Sequence, residues 1–454
     1  MNDDVVLCKS LTYDDVSLIA DYFDGESRSD LDTSVTLGKQ TFNMPVIPAN
    51  MKCCIDFKLA ELLSYNNYFY VLHRFYEYDE IKKWISDNQS LHTISISLGV
   101  QQKDFDFIDW YVESGLRIDY ITLDIAHGHC KRMKHMLNHI KVQTVDAYVP
   151  HIIAGNVMTK DAVEDLARWG ADTIKVGIGP GAACTTKLKT GFHSPMFTTV
   201  QNCVPDYTYT RDHISLNDEV MDEVNNCEIK LSFDEKTFAP IIECNLDYLK
   251  IINSESYNAI GPEYQRDYIK RVGTRQTFYI DIQSIRDEAK RRHEKCKIKP
   301  SIIADGGIRH NGDVAKALVA GADMVMIGSM FTACIDSPAE SIHDWGEYDQ
   351  KLNFNMNMHR LYDGMSDESK SKVVKPEDPS KITAKITHKR YFGSASATNK
   401  GHNVNVEGKE IDIECNGLTY LEKFSEMKQD LQSSISYSGG SSINDLQWVK
   451  YNII

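Results

Sequence analysis

Eight short, β-branched apolar runs recur along this chain: VIPAN (46–50), YFYVLH (68–73), TISISLG (93–99), YITLDIA (120–126), HIIAGN (151–156), DTIKVGI (172–178), SIIADGG (301–307) and MVMIGS (324–329). Near-continuous apolar character marks strands buried on both faces, as in parallel sheets. Amphipathic helical patterns separate most of them, as at 55–66, 159–170 and 311–322. Thr159 and Asn311 read as N-caps, and Gly170 and Gly321 as C-terminal stops. The spacing is that of one βα unit per run. The fold this predicts is α/β, a (β/α)8 TIM barrel; an open, doubly wound sheet shares the same rhythm.

In a barrel the chemistry sits at the carboxyl ends of the strands. Polar residues and glycines collect there: Asn50, Arg74, Asp124, Asn156, Cys184, Asp305-Gly306-Gly307 and Gly328-Ser329. The last two groups suit a phosphate, because glycine leaves backbone N–H groups open to an oxyanion. Most telling is KVGIGPGAACTTKLKT (175–190), where a strand ends in glycines 177, 179 and 181 and then presents Cys184, Thr185 and Thr186. Backbone can approach a ligand closely there. A thiol beside hydroxyls suits a nucleophile with a neighbouring proton carrier. Taken alone, the same run also describes a glycine-rich turn with a buried cysteine.

The rhythm breaks between 178 and 301. Residues 190–203 start a sixth helix and 282–296 finish it, leaving 204–281 as an insertion that reads as a small subdomain or an oligomer contact. The expected order is a first barrel part (1–203), the insertion (204–281), a second barrel part (282–335), a flap region (336–415) and a C-terminal helix and tail (416–454). Lysine-rich 366–385 reads as a solvated loop. The 454 residues carry a formal charge of −15, against general nucleic-acid binding. No apolar run is long enough to span a membrane, and the start lacks a secretory pattern. Eleven scattered cysteines without CxxC pairs favour reduced thiols and a cytoplasmic setting. His127 and His129 read as strand-end residues rather than metal ligands, and Cys53-Cys54 as core.

GIGPGAACTTK, IIADGGIRHNGDVAKALVAGADMVMIGSMF and YFGSAS followed by VEGKE resemble the family of IMP dehydrogenases and GMP reductases. FNMPVIPANM, NNYFYVLHRF, DIAHGH and MKQDLQSSISYSGG resemble its GMP reductase branch. Dehydrogenases usually insert a regulatory module after the second βα unit, for which 74–93 leaves no room. They tend to carry glutamine where this chain has Glu407. They also use an Arg-Tyr pair after the motif that is here YFGSAS; Arg390-Tyr391 precedes it.

The resemblance implies reductive deamination of GMP to IMP. Cys184 attacks C2 of the purine, Thr186 backed by Glu407 protonates the leaving amine, and NADPH delivers hydride. By the same resemblance Asp305 takes the ribose hydroxyls, and Gly306, Gly307, Gly328 and Ser329 cradle the phosphate. Gly393, Ser394, Ala395 and Gly408, with Glu407, hold the base. Arg74, Asp124 and Ala126 border the nicotinamide. Ser27, Arg28 and Tyr437 to Gly440, including Gly439, reach the cofactor's adenosine end from a neighbouring subunit. Carbonyls of Gly179, Gly181, Cys184 and Lys187 hold a potassium-like cation. The family implies a homo-oligomer, a tetramer or an octamer. Val404 and Ala397 depart from the family's usual basic and polar flap residues. The alternatives are an IMP dehydrogenase using NAD, and a catalytically silent nucleotide-binding scaffold.

Overall fold

The computed structural model describes residues 10–144, 148–205, 297–363, 384–400 and 406–454, with strand pieces between 209 and 278 and scattered positions between 365 and 378. Seven parallel strands curl into a barrel. They are β1 (Val46–Pro48), β2 (Ser95–Leu98), β3 (Tyr120–Asp124), β4 (His151–Val157), β5 (Thr173–Val176), β6 (Ser301–Asp305) and β7 (Met324–Ile327), in spatial order β1-β7-β6-β5-β4-β3-β2. The run at 68–73 fills the remaining place between β2 and β1 as a single bridge, Leu72 to Ile96, rather than a full strand. Leu72 N–H donates to Ser95 O at 3.1 Å, and the Ser97 hydroxyl donates back to Leu72 O at 2.6 Å. A side chain therefore supplies one of the contacts that a longer ladder would take from backbone. Phe69 to Leu72 are fully buried all the same, so the fold is a (β/α)8 barrel with one abbreviated stave.

The helices follow from apolar periodicity and their caps. In α1 (Phe57–Tyr65) the Asp56 carboxylate accepts Leu59 N–H at 2.8 Å. After α2 (Tyr78–Asp87), α3 (Gln102–Ser114) and α4 (Lys131–Gln143), α5 (Lys160–Trp169) is capped by Thr159 and stopped at Gly170. α6 (Met196–Cys203) follows the glycine-rich loop after β5 and covers β5 and β6. In α7 (Asn311–Val319) the cap is His310, not Asn311. The Asp313 carboxylate accepts the N–H groups of Arg309 and His310 at 3.0 Å, which frees the Asn311 amide to reach Glu426 and Asp430. Gly321, at φ +103°, lets the chain leave that helix.

In the insertion, Lys230–Phe233 pairs with Pro240–Glu243 and Ile269–Val272 with Arg275–Phe278, both antiparallel. Tyr209–Thr210 pairs with Lys297–Ile298, so the segment leaves and rejoins the barrel side by side. The helix expected over 282–296 lies outside the described residues, as does Val404. Beyond the barrel, β8 (Ser341–Asp344), β9 (Lys385–Phe392) and β10 (Glu410–Glu414) form an antiparallel sheet. Between its first two strands runs α8 (Trp345–Asp363), a helix the polar sequence did not announce. α9 (Tyr420–Tyr437) returns the chain to pack on α7. Among the described residues no helix is long and apolar enough to cross a membrane. Cys53 and Cys54 are fully buried core, as expected, and the described cysteines are all free.

Candidate active site

Glycines shape the loop after β5. Gly177 sits at φ +139°, and a Cβ there would lie 2.4 Å from Asp305 O; Gly179 sits at φ +79°. Only glycine tolerates both the backbone geometry and the close approach. The loop tip is tied to the flap. Thr185 N–H donates to Glu407 O and Lys409 N–H to Ala183 O, each at 2.8 Å, so Cys184 bridges Gly408 as in an antiparallel pair. Glu407 N–H donates to Ala395 O at 3.0 Å. The three segments 183–186, 393–396 and 407–409 thus form one layered wall. Gly408 belongs in it for a steric reason, since a Cβ there would lie 2.7 Å from Ser396 N.

That wall aligns the chemical groups. Cys184 Sγ lies 3.1 Å from Thr186 Oγ1, whose hydroxyl donates to Glu407 Oε2 at 2.6 Å. Thiol, hydroxyl and carboxylate form one hydrogen-bonded relay assembled from positions 221 residues apart. A relay of this kind can move a proton to or from a group bound at the sulfur.

Two adjoining cavities open over the strand ends. One, of about 270 Å³, is lined by Cys184, Thr186 and Glu407, by Arg74, Asp124 and Ala126, and by Asp305 and Gly393 to Ala395. The second, of about 390 Å³, is lined by Gly306, Gly307, Gly328 and Ser329. Gly181 and Tyr391 line both, so the cavities meet. Ser27, Arg28, Tyr437, Gly439 and Gly440 line neither. They meet elsewhere: the Arg28 guanidinium lies 5.0 Å over the Tyr437 ring, and Gly439, at φ +75°, abuts Tyr22 O. Lys187 also stays outside both cavities; its carbonyl accepts Gly191 N–H at 3.2 Å. His129 pairs with Asp165 at 2.8 Å, and His127 is exposed. No cluster of three metal-ligating side chains occurs among the described residues.

Two residues at the site were not read from the sequence. Lys175, in the middle of β5, points its ammonium into the barrel: Asp124 Oδ1 lies at 2.7 Å and Asp305 Oδ2 at 3.0 Å. Burial pushes its pKa down, but the two carboxylates outweigh burial and hold it above the ordinary lysine value. Burial likewise pushes Asp124 up, and Lys175 and Arg74 reverse that and hold it below the usual carboxylate range. Tyr391 is the other. It is buried beneath both cavities, and a Cβ on Gly328 would lie 2.5 Å from its hydroxyl. Strand alternation was the available signal: Arg390 faces out to Glu340 and Asp412 while Tyr391 faces in.

Fold and site together define a barrel enzyme with its chemistry at the carboxyl ends of its strands. The IMP dehydrogenase / GMP reductase domain family matches residues 10–216 and 274–453. A GMP reductase of Acidovorax sp. (strain JS42) is 35% identical over 443 residues, 97% of this chain and 95% of that protein. Those of Staphylococcus carnosus (strain TM300) and Mesoplasma florum are each 34% identical, over 449 and 442 residues, covering 98% and 97% of this chain and 97% of each relative. The chain belongs to the IMP dehydrogenase / GMP reductase family.

Proposed function

We propose that this chain reduces GMP to IMP with loss of ammonia, through a covalent bond between Cys184 and C2 of the purine. The observation that carries the reading is the relay from Cys184 through Thr186 to Glu407, at 3.1 and 2.6 Å. In the reaction Cys184 Sγ bonds to C2 as a thiolate. Glu407 passes a proton through Thr186 to the departing amine, the C2–N bond breaks, and ammonia leaves. When bound, the reduced nicotinamide of NADPH supplies a hydride to C2. The C–S bond then breaks and its electron pair returns to the sulfur. One hydride and two protons enter for each ammonium released. A carboxylate at 407 suits this chemistry better than an amide, because it can both take and give the proton.

The ligand assignments follow the two cavities. Asp305 takes the ribose hydroxyls, and its Oδ2 is already held by Lys175 and by Asn156 Nδ2 at 2.8 Å, so Oδ1 carries the exchange with ribose. Gly306, Gly307, Gly328 and Ser329 receive the phosphate. Gly393, Ser394, Ala395 and Gly408 hold the base. Arg74, Asp124 and Ala126 face the nicotinamide. Arg74 Nε supports this fit: it is a buried donor at the cavity with no hydrogen-bond acceptor among the described residues, and Asp124 Oδ2 is 3.9 Å away. Ser27, Arg28 and Tyr437 to Gly440 reach the adenosine end from a neighbouring subunit of a tetramer or octamer. A potassium-like cation takes the carbonyls of Gly179, Gly181, Cys184 and Lys187; those of Gly181 and Lys187 each accept one chain N–H, which leaves each a second lone pair. The same reading takes the chain as a first barrel part (1–203), an insertion (204–281), a second barrel part (282–335), a flap region (336–415) and a C-terminal helix and tail (416–454).

One assay decides it. Protein with GMP and NADPH should consume the reduced cofactor, and protein with IMP and NAD should not generate it. Activity confined to the second pair overturns the proposal in favour of the dehydrogenase, and silence with both leaves only a nucleotide-binding scaffold. Mass spectrometry of quenched enzyme should show a purine adduct on Cys184.

A further inference from the structure

Lysine is seldom buried inside a strand without partners. The Lys175 side chain is 3% exposed, and its ammonium lies between acids from two different strands, Asp124 ending β3 and Asp305 ending β6. Asn50 Oδ1 approaches as a third acceptor at 3.4 Å. Both acids line the smaller cavity, where Asp124 Oδ2 lies 3.9 Å from Arg74 Nε and Asp305 precedes Gly306, which lines both cavities. A single cation is thus the shared counter-charge of two acids from different strands that line the cavity.

Resting on the reading of the site given above, we infer that Lys175 is a positioning residue that couples the two ligand sites, its ammonium holding Asp305 for the ribose and Asp124 for the nicotinamide side at once. The physical reason is competition for three N–H donors. While both acids are ionised, the ammonium is divided between them, and Asp305 keeps lone pairs for ribose. When Asp124 loses its charge, the ammonium is drawn onto Asp305 and competes with the ribose hydroxyls. A ligand group that engages Asp124 shifts the same balance, which is a coupling free energy between sites and therefore reciprocal.

The experiment is a double-mutant cycle read by calorimetric GMP binding without cofactor, on the full chain. Asp124→Asn should weaken GMP binding about fivefold or more, the lower end of typical couplings. Lys175→Met should also weaken it, and in that background Asp124→Asn should add nothing. Unchanged GMP affinity in Asp124→Asn overturns the coupling. So does an Asp124→Asn effect that persists in full in Lys175→Met, since that marks a direct contact between Asp124 and GMP. If Lys175→Met does not fold, Asp305→Asn replaces it: KM for NADPH should rise together with KM for GMP, and a rise in KM for GMP alone overturns the inference. A merely structural lysine would lower the unfolding midpoint and leave these affinities independent. The parent reading fails separately, if the wild-type protein binds no GMP; wild-type binding and turnover with an indifferent Asp124→Asn sink the coupling alone.

Discussion

The two ends of the barrel use aspartate in opposite ways. At the amino ends, Asp119, Asp172 and Asp323 each precede a strand and clasp its neighbour by two bonds. Their N–H groups donate to the carbonyls of Ile94, Ile152 and Ile302 at 2.9, 2.8 and 2.8 Å. Their carboxylates accept the N–H groups of the same three residues at 2.8, 2.8 and 2.7 Å. These acids finish the ladder where backbone partners run out. At the carboxyl ends, Asp124 and Asp305 close no ladder with their carboxylates. They face a shared cation and leave lone pairs turned to a cavity. The same side chain spends its oxygens on backbone at one end and turns them to a cation and a cavity at the other. Substitutions at the top should therefore cut turnover with little change in stability, and substitutions at the bottom that remove the acceptor for backbone N–H should do the reverse.

The sharpest break of this division comes at Cys184. On the proposed covalent route, Cys184→Ser should lower kcat by about a thousandfold or more, leaving only binding and orientation. GMP binding and the urea midpoint should stay near wild type, since the side chain is only half-buried. Full activity would remove the covalent route. Glu407→Gln comes next. It keeps the shape of the wall and an acceptor for the Thr186 hydroxyl, but it cannot exchange a proton. The expected loss is about a hundredfold in kcat, within the usual range for a general acid–base group. Single-turnover kinetics should place that loss in ammonia release, and a loss in the hydride step instead would reassign the proton donor.

At the other end, Asp119→Ala removes a buried acceptor from Ile94 N–H and from the Tyr148 hydroxyl, 3.0 Å away. Stability should fall by about 1–3 kcal/mol in urea unfolding, the cost of stranding a buried donor. kcat/KM at a temperature where the variant is folded should be unchanged. A kinetic defect without a stability defect would erase the contrast between the ends.

What the sequence disclosed follows the same division. Strands and strand ends were readable because burial on both faces leaves continuous apolar runs, and because a loop that meets a ligand needs glycine. Cys184, Thr186 and Glu407 were found as separate motifs, and the structure brings them to hydrogen-bond distance. Lys175 lies hidden inside DTIKVGI, because a single charge barely disturbs the run's apolar character. Its partners lie 51 and 130 residues away along the chain and become visible only when the barrel closes. A lysine in the middle of a strand buried on both faces was itself the signal. The run at 68–73 was apolar enough for a strand, but its pairing depends on what the next segment permits, and the chain turns into α2 at Tyr78. Helix α8 was hidden for the opposite reason: it leaves Phe354 and Leu361 exposed, so no clean apolar stripe faces the body of the protein.

The smallest effect tests whether the lower aspartates need their charge at all. Burial pushes the Asp323 carboxyl above its ordinary pKa, against the opposing pull of Ile302 N–H and Lys299. A carboxyl with a raised pKa in the folded state binds more protons folded than unfolded between the two values. Stability therefore falls as pH rises through that window, and the full penalty remains at neutral pH. Asp323→Asn keeps an oxygen for Ile302 N–H and removes the charge. It should be more stable than wild type at pH 7 by on the order of 1 kcal/mol. The difference should shrink as pH falls, vanishing below the unfolded aspartate value of about 3.9. Urea midpoints of both proteins across that range decide the matter. An asparagine variant less stable at pH 7, or a gap that widens toward acid, would mean the negative charge itself holds this end of the barrel, and the two ends would then differ in partner rather than in principle.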